Sequence, residues 1–334
     1  VDDLVASRSK EAKVGIVILN WNNYKDTARC LRSLECVDYR SYVIYLVDNG
    51  STDDSMSTLM AQFSKRDIEF ILNGENLGFA AGCNRGIARA LDDNCDYVLL
   101  LNNDCVVKDT AFLTTAVEFA EHHPEFGIFG GKILFWPDTQ RIWSVGGSIS
   151  NWGNETYIGF NEVDEGQYET AEERSFISGA LMLIKREVFS AIGLLPDVYF
   201  FGLEDWEYST RAIRAGYKLA YNPKFTVCHE ANHSHDTTDP VYVYNYTLSK
   251  IIYKKRNLPR YRFAAWGFAY KTYLHAFFSL KYRAQKQKYV PGISARMIRQ
   301  SMLQALSDSN RIDRITEDTL LDFRRNFEKK DPLK

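Results

Sequence analysis

The chain has 334 residues, 45% apolar and 25% charged, with a formal net charge of −2. That balance describes a globular protein able to bury a large core, either one large domain or one domain with an appendage. The total charge identifies no partner, but its distribution is uneven. From Pro240 to Ser307 there is no Asp or Glu, while Lys and Arg recur throughout, so this stretch is a local basic field and the remainder is acidic.

The polar, acidic opening "VDDLVASRSKEAK" carries no secretory signal, and no uncharged apolar run reaches about 18 residues, so no spanning helix is expected. The six cysteines form no CxxC pair, which suits buried free thiols in a reducing compartment.

In chain order, "VGIVILN" (Val14–Asn20) is a continuous apolar run, suiting a strand covered on both faces. "TARCLRSL" has helical spacing, and "YVIYLVDN" (Tyr42–Asn49) is a second strand. "STDD" (Ser51–Asp54) reads as a capping signature before the helix "SMSTLMAQF". "IEFIL" (Ile68–Leu72) is a third strand, followed by a helix whose Ala80, Cys83, Ile87 and Ala90 share one face. "YVLLLN" is a fourth strand and "AFLTTAVEFAEHH" another helix. This alternation predicts an α/β fold, a mainly parallel sheet flanked by helices in Rossmann-like fashion.

After Gly130 come strand-like "GKILFW", a Gly-, Asn- and Trp-rich region, an acidic loop, apolar "FISGALMLIKREVF", and a helix "EDWEYSTRAIRAGY" ending at Gly216. Within that helix Glu207–Arg211 reads as a solvated i,i+4 pair. Beyond Asp239 the pattern is helical. The expected organisation is a short N-terminal tail (1–12), an α/β unit (13–239) and a basic, aromatic helical extension (240–334).

In an open parallel sheet, ligands lie outside the carboxyl ends of the strands. Those ends are polar here: "NWNN" (Asn20–Asn23), "DNGSTDD" after the second strand and "NND" (Asn102–Asp104) after the fourth. Taken singly, each is also read as a turn or a cap. "NGENLGFAAGCNRG" (Asn73–Gly86) lacks dinucleotide-fingerprint spacing and does not follow the first strand. Amides and carboxylates gathered on one edge could read a nucleotide and hold a divalent cation.

"VGIVILNWNNYKDTARCLRSL", "YLVDNGSTDDS", "NLGFAAGCNRGI", "LLLNNDCVV", "FISGALMLIKREVF" and "FFGLEDWEYSTRAIRAGY" together resemble the family 2 glycosyltransferases of GT-A fold, especially rhamnosyltransferase-like members building bacterial surface polysaccharides. The likeness runs over roughly residues 13 to 235, and it implies that residues 13–239 form a catalytic unit in which a nucleotide-binding half (13–135) precedes an acceptor-binding half (136–239). It implies an inverting, metal-dependent transfer from a nucleotide-sugar donor, dTDP-rhamnose or a UDP-sugar, to a glycan or lipid-linked glycan. Asp48 matches the acid that hydrogen-bonds the base, with Asn20 and Asn22 flanking it. Asn49, Asn76, Gly78, Asn102 and Asn103 fall on donor-binding motif positions, and Arg85 on one near the phosphates.

Asp104 matches the last acid of the DxD-type motif that binds Mg2+ or Mn2+. Asn102 replaces the first acid, leaving one anionic ligand. Glu204 and Asp205 match the catalytic "ED" pair, with Asp205 as general base; a helix N-terminus also favours acids for its own sake.

In "VCHEANHSH", the resemblance puts His229 near the cation, while His233 and His235 read as surface residues. No spacing supports a closed zinc site. Trp206, Phe201 and Trp143 are candidate acceptor contacts, with core packing as the alternative for each. The basic, aromatic extension fits either an anionic membrane surface or packing on the catalytic unit.

The expected setting is cytoplasmic, peripheral on the inner face of the membrane, with homo-oligomerisation open. No recognition motif accompanies the basic patch, so nucleic acid is not an expected partner. The rival reading is a non-catalytic sugar-nucleotide-binding or scaffold module of the same fold. A nucleotidyltransferase would need a glycine-rich basic loop after the first strand, and "NWNNYKD" is not that.

Overall fold

The computed structural model describes residues 11–64, 67–230, 239–277 and 295–328. His233, His235 and the part of the basic extension from 278 to 294 lie outside the described residues.

Strands β1 (Val14–Asn20), β2 (Tyr42–Asp48), β3 (Ile68–Leu72) and β4 (Tyr97–Leu101) pair in parallel in the order β3-β2-β1-β4. Parallel neighbours require crossovers, supplied by α1 (Tyr24–Ser33), α2 (Ser55–Phe63) and α3 (Phe79–Asp92). Val14, Ile16 and Ile18 of β1 pack into the layer of α1 and α2. Val17 turns the other way, towards Ala80, Cys83, Ile87 and Ala90 of α3. Burial on both faces is why these strands read as unbroken apolar runs.

The parallel sheet predicted from sequence is thus present, and beyond β4 it becomes mixed. After β5 (Cys105–Val106) and α4 (Phe112–His122) come β6 (Phe126–Phe135), β7 (Ile142–Ser144), the hairpin β8 (Gly147–Ile149) and β9 (Glu155–Tyr157), and β10 (Glu172–Arg174). Then follow β11 (Leu181–Lys185), α5 (Arg186–Ile192), α6 (Glu204–Arg214) and β12 (Lys218–His229). β11 lies antiparallel between β4 and β6, and β6 pairs in parallel with β12. The far end of β12 pairs antiparallel with β5, setting His229 opposite Cys105.

Two local expectations need correction. Ser51 does not cap α2: its Oγ accepts instead from Asn22 N at 2.9 Å and Asn20 Nδ2 at 3.2 Å and donates to the Asp48 carboxylate at 2.6 Å, four residues before the helix begins. Asp54 occupies the N-cap without a side-chain bond, and Asp53 Oδ1 accepts from Ser55 N at 3.1 Å. Nor is Glu207 a solvated partner of Arg211. It is buried, accepts from Tyr199 Oη at 2.5 Å and is gripped by Arg256 through Nε and Nη2 at 2.8–3.1 Å. Arg211 instead donates to the Ile192 and Leu194 carbonyls.

Arg256 belongs to α7 (Pro240–Asn257), whose Asp239 side chain caps its first turn. Tyr244, Leu248, Ile252 and Tyr253 of α7 pack against Phe176, Tyr199, Leu203 and Trp206. Lys254 is fully buried, its ammonium donating to the Trp152 and Gly153 carbonyls and Asn154 Oδ1; burial pulls its pKa down to about 8.

α7 is therefore part of the packed body. α8 (Arg260–Thr272) buries no residue and holds Tyr261 and Phe268 68% and 77% exposed. α9 (Ala295–Asp308) and α10 (Glu317–Glu328) complete the described chain. Among the described residues no helix is long and apolar enough to cross a membrane.

Candidate active site

The ends of β1, β2 and β4 are tied together by one polar network. Asn20 is fully buried: its Nδ2 donates to Asp48 Oδ1, Ser51 Oγ and Ser55 Oγ at 3.2 Å, and its Oδ1 accepts from Thr27 Oγ1 at 2.8 Å. Thr27 Oγ1 in turn accepts from Asn103 Nδ2 at 2.8 Å. Asn22, at φ 49°, accepts from Thr52 N and Asp53 N and so fixes the two loops against each other. Asn20, Asn22 and Asp48 line neither cavity described below; they hold the loops that do.

A first cavity of about 220 Å³ opens over these strand ends. Asn49, Asn76, Gly78, Asn102, Asn103, Asp104 and Phe201 line it. Asn49 is buried and clamps the loop before α3: its Nδ2 donates to Asn76 Oδ1 at 2.8 Å and Gly78 O at 3.2 Å, and its Oδ1 accepts from Leu77 N at 3.2 Å. Gly78 is required where it stands. Its φ is +82°, and a Cβ there would lie 2.4 Å from the Phe200 carbonyl oxygen. Trp21, half exposed, also lines this cavity. Only its place in "NWNN", beside two amides, marked it in the sequence. Arg85 lies exposed on α3 and lines neither cavity.

A second cavity, of about 630 Å³, adjoins the first, and Phe79, Asn102 and Phe201 line both. Glu204, Asp205, Trp206, Trp143 and His229 line it, together with Tyr157, Phe160, Tyr242 and Tyr246, which sequence reasoning did not single out. Trp206 is mostly core, packed on Phe176 and Tyr253. Trp143 meets His229 edge-on at 4.8 Å between ring centroids.

Asp205 begins α6 and is held by two backbone donors, Gly179 N to Oδ2 at 3.1 Å and Trp206 N to Oδ1 at 2.9 Å. Leu203, just before the pair, sits at φ 76°, an uncommon conformation for a branched residue that turns both acids toward the cavity wall. Burial pushes both carboxyls above the ordinary range, and the Asp205 charge pushes Glu204 further. Glu204 Oε2 is buried with no hydrogen-bond partner, which favours the neutral acid. Glu204 thus holds its proton while Asp205, stabilised by two N–H groups, ionises first.

Asp104 is delivered by β4 and His229 by β12, across the short β5–β12 pairing. His229 Nε2 lies 3.0 Å from Asp104 Oδ1 and 3.3 Å from Asn102 Nδ2; it can donate to the first or accept from the second, not both. Burial raises the Asp104 pKa, but His229, backbone hydrogen bonding and Arg29 outweigh it, leaving the carboxyl below its usual range.

Ligand atoms of Asp104, Cys105 and His229 lie within 4.8 Å of one another. The Cys105 thiol is pushed well up by burial and the Asp104 charge, and its Sγ donates to the Ala180 carbonyl at 3.6 Å. Asn102 Oδ1 is a buried oxygen without a hydrogen-bond partner, and Asp104 Oδ1 is a buried oxygen set opposite His229 Nε2. One carboxylate, one amide oxygen and an imidazole fit a hard divalent cation held in part by its ligand.

A mannosyltransferase from Pyrobaculum calidifontis, solved in complex with GDP-Man and Mn2+, superposes with a TM-score of 0.52 over 96% of this chain and 81% of its own, at 15% identity. That likeness carries the fold, a GT-A-type sheet flanked by helices. An N-acetylglucosaminyl-diphospho-decaprenol L-rhamnosyltransferase of Mycobacterium tuberculosis is 24% identical over 66% of this chain and 76% of its own length. An O-antigen chain rhamnosyltransferase of Salmonella anatum is 26% identical over 57% of each. Residues 15–193, more than half of the chain, match the family described as Glycosyl transferase family 2. With the fold, the strand-end motifs and these relatives in agreement, the chain belongs to glycosyl transferase family 2.

Proposed function

We propose that this glycosyltransferase is an inverting, metal-dependent enzyme moving a sugar from a nucleotide donor to a glycan or lipid-linked glycan in cell-surface polysaccharide synthesis. The observation that carries it is the pair of adjoining cavities, one bordered by Asp104 and the other by Asp205, meeting at Asn102. The rhamnosyltransferase names of the two relatives favour dTDP-rhamnose as donor, with a UDP-sugar as the alternative.

In this reading the nucleoside diphosphate occupies the first cavity, with Trp21 presenting a ring to the base and Asn49, Asn76, Asn102 and Asn103 supplying amides. The acceptor hydroxyl lies at Asp205. Its oxygen bonds to the anomeric carbon from one face as the sugar–phosphate bond breaks on the other. Its proton passes to Asp205, and the electron pair leaves with the diphosphate. A carboxylate is a weak base toward an alcohol, but the hydroxyl turns acidic as the new bond forms, so placement decides. Mg2+ or Mn2+, held by Asp104, Asn102 and His229, would neutralise charge growing on the leaving group.

The test is nucleoside diphosphate release from a panel of nucleotide sugars with and without Mn2+. Metal-dependent release from one donor is expected. A raised melting temperature without release from any donor would instead identify a binding module.

We place the protein on the inner face of the membrane through α8. What supports this is the exposure of Tyr261 and Phe268 in a stretch free of acids.

A further inference from the structure

We propose that α7 forms the acceptor-recognition wall, and that Tyr242 and Tyr246 bind a neutral pyranose segment of the acceptor glycan rather than its lipid or phosphate portion. The inference rests on the glycosyltransferase reading and deepens it. The family match ends at residue 193, so neither α7 nor the Glu204–Asp205 pair lies within it.

The argument begins with helical spacing. Tyr242 and Tyr246 are one turn apart and line the second cavity, whereas Tyr244 and Leu248, on the alternate face, are fully packed into the core. The two cavity rings lie in nearly parallel planes, 9° apart, with centroids 6.2 Å from each other. Tyr246 Oη donates to Glu155 Oε1 at 3.2 Å, and Lys250 sits 3.8 Å from the other oxygen of that carboxylate, so the ring is fixed from below.

Trp143 and Tyr157, themselves edge-to-face at 5.7 Å, line the same cavity. Aromatic side chains in the lining complement the apolar C–H faces of a pyranose, and their rigidity limits the entropy lost on binding.

The polar groups select the charge of the occupant. Glu204 Oε2, buried and without a hydrogen-bond partner, and Asp205 both face this cavity, and both suit hydroxyl groups. The Asp205 carboxylate beside the aromatic wall repels phosphate, while the neutral Glu204 carboxyl can donate to a hydroxyl. α7 also sets the rest of the wall. Asn245 Nδ2 donates to the Phe201 carbonyl at 2.7 Å, and Arg256 grips Glu207, two residues beyond Asp205 on α6.

The experiment combines two readouts on the full chain. Saturation-transfer NMR uses octyl N-acetyl-β-D-glucosaminide, octyl α-L-rhamnoside and octyl phosphate as probes. Nucleoside diphosphate release without acceptor reports the donor side separately. The expected result is saturation transfer to ring protons of at least one glycoside and none to octyl phosphate.

The double variant Tyr242→Ala/Tyr246→Ala should weaken that glycoside about tenfold or more while affinity for UDP and dTDP, whose proposed cavity neither tyrosine lines, stays within about twofold by calorimetry. Tyr242→Phe, which keeps the aromatic face and leaves the Tyr246–Glu155 bond in place, should bind as the parent does. Glycoside binding unchanged in the alanine variant, or octyl phosphate bound in preference, overturns the proposal. If no donor is cleaved, the transferase reading fails by itself; glycoside binding lost in the alanine variant would still support the α7 site, and absence of binding would sink it.

Discussion

Replacing Glu204 with Gln should stabilise the protein at neutral pH although it alters the active site. Burial and the Asp205 charge lift the Glu204 carboxyl from its ordinary 4.5 to about 8, so at pH 7 it is neutral when folded and ionised when unfolded. A folded-state pKa raised in this way gives stability that is complete below pH 4.5 and is lost as pH climbs towards 8.

From 4.5 to 7, each unit is worth about 1.4 kcal/mol, which sets a ceiling of about 3 kcal/mol. The cavity admits water, so a gain of about 1–2 kcal/mol is expected, a rise of roughly 2–5 °C in Tm. Gln keeps the neutral form and never ionises in the unfolded chain. Urea unfolding at pH 4 and pH 7 measures it. The variant should match the parent at pH 4 and exceed it at pH 7; equal differences at both values, or a less stable variant at pH 7, would refute a buried neutral acid.

Arg256→Ala strands the buried Glu207 carboxylate with Tyr199 alone, and a loss of about 2–4 kcal/mol in urea unfolding is expected, with Glu207→Gln in the same chain recovering part of it. Gly78→Ala forces a Cβ into the Phe200 carbonyl at φ +82°, so stability should fall by about 1–3 kcal/mol and donor affinity with it, read by thermal melting and nucleotide titration. Co-sedimentation with phosphatidylglycerol vesicles should be salt-sensitive and should drop in Tyr261→Ser/Phe268→Ser; absence of binding at low salt rejects the membrane placement.

The parallel half of the sheet was legible because burial on both faces leaves apolar runs such as Val14–Asn20, and the strand ends stood out as polar breaks in those runs. β12 was not legible. Its "YNPKF" contains Pro223 and reads as a turn, where the structure accommodates a register shift between Asn222 and Thr226. Its far end carries His229 to Asp104, a meeting that no local spacing encodes.

Glu207 misled for a related reason. Arg211 lies one helical turn away and is visible in sequence, while its actual partner Arg256 is on another helix. Tyr242 and Tyr246 were hidden in a stretch whose basic, aromatic composition fitted either a membrane surface or packing on the catalytic unit, and α7 does the second.

The central claim is that Asp205 takes the proton from the acceptor. Asp205→Asn keeps the shape of the side chain and at least one of its two backbone hydrogen bonds. Transfer to acceptor, measured beside donor binding by calorimetry in the same preparation, should fall by a factor of about 10³ or more while donor affinity stays within about threefold. Near-parental transfer by that variant would contradict the account.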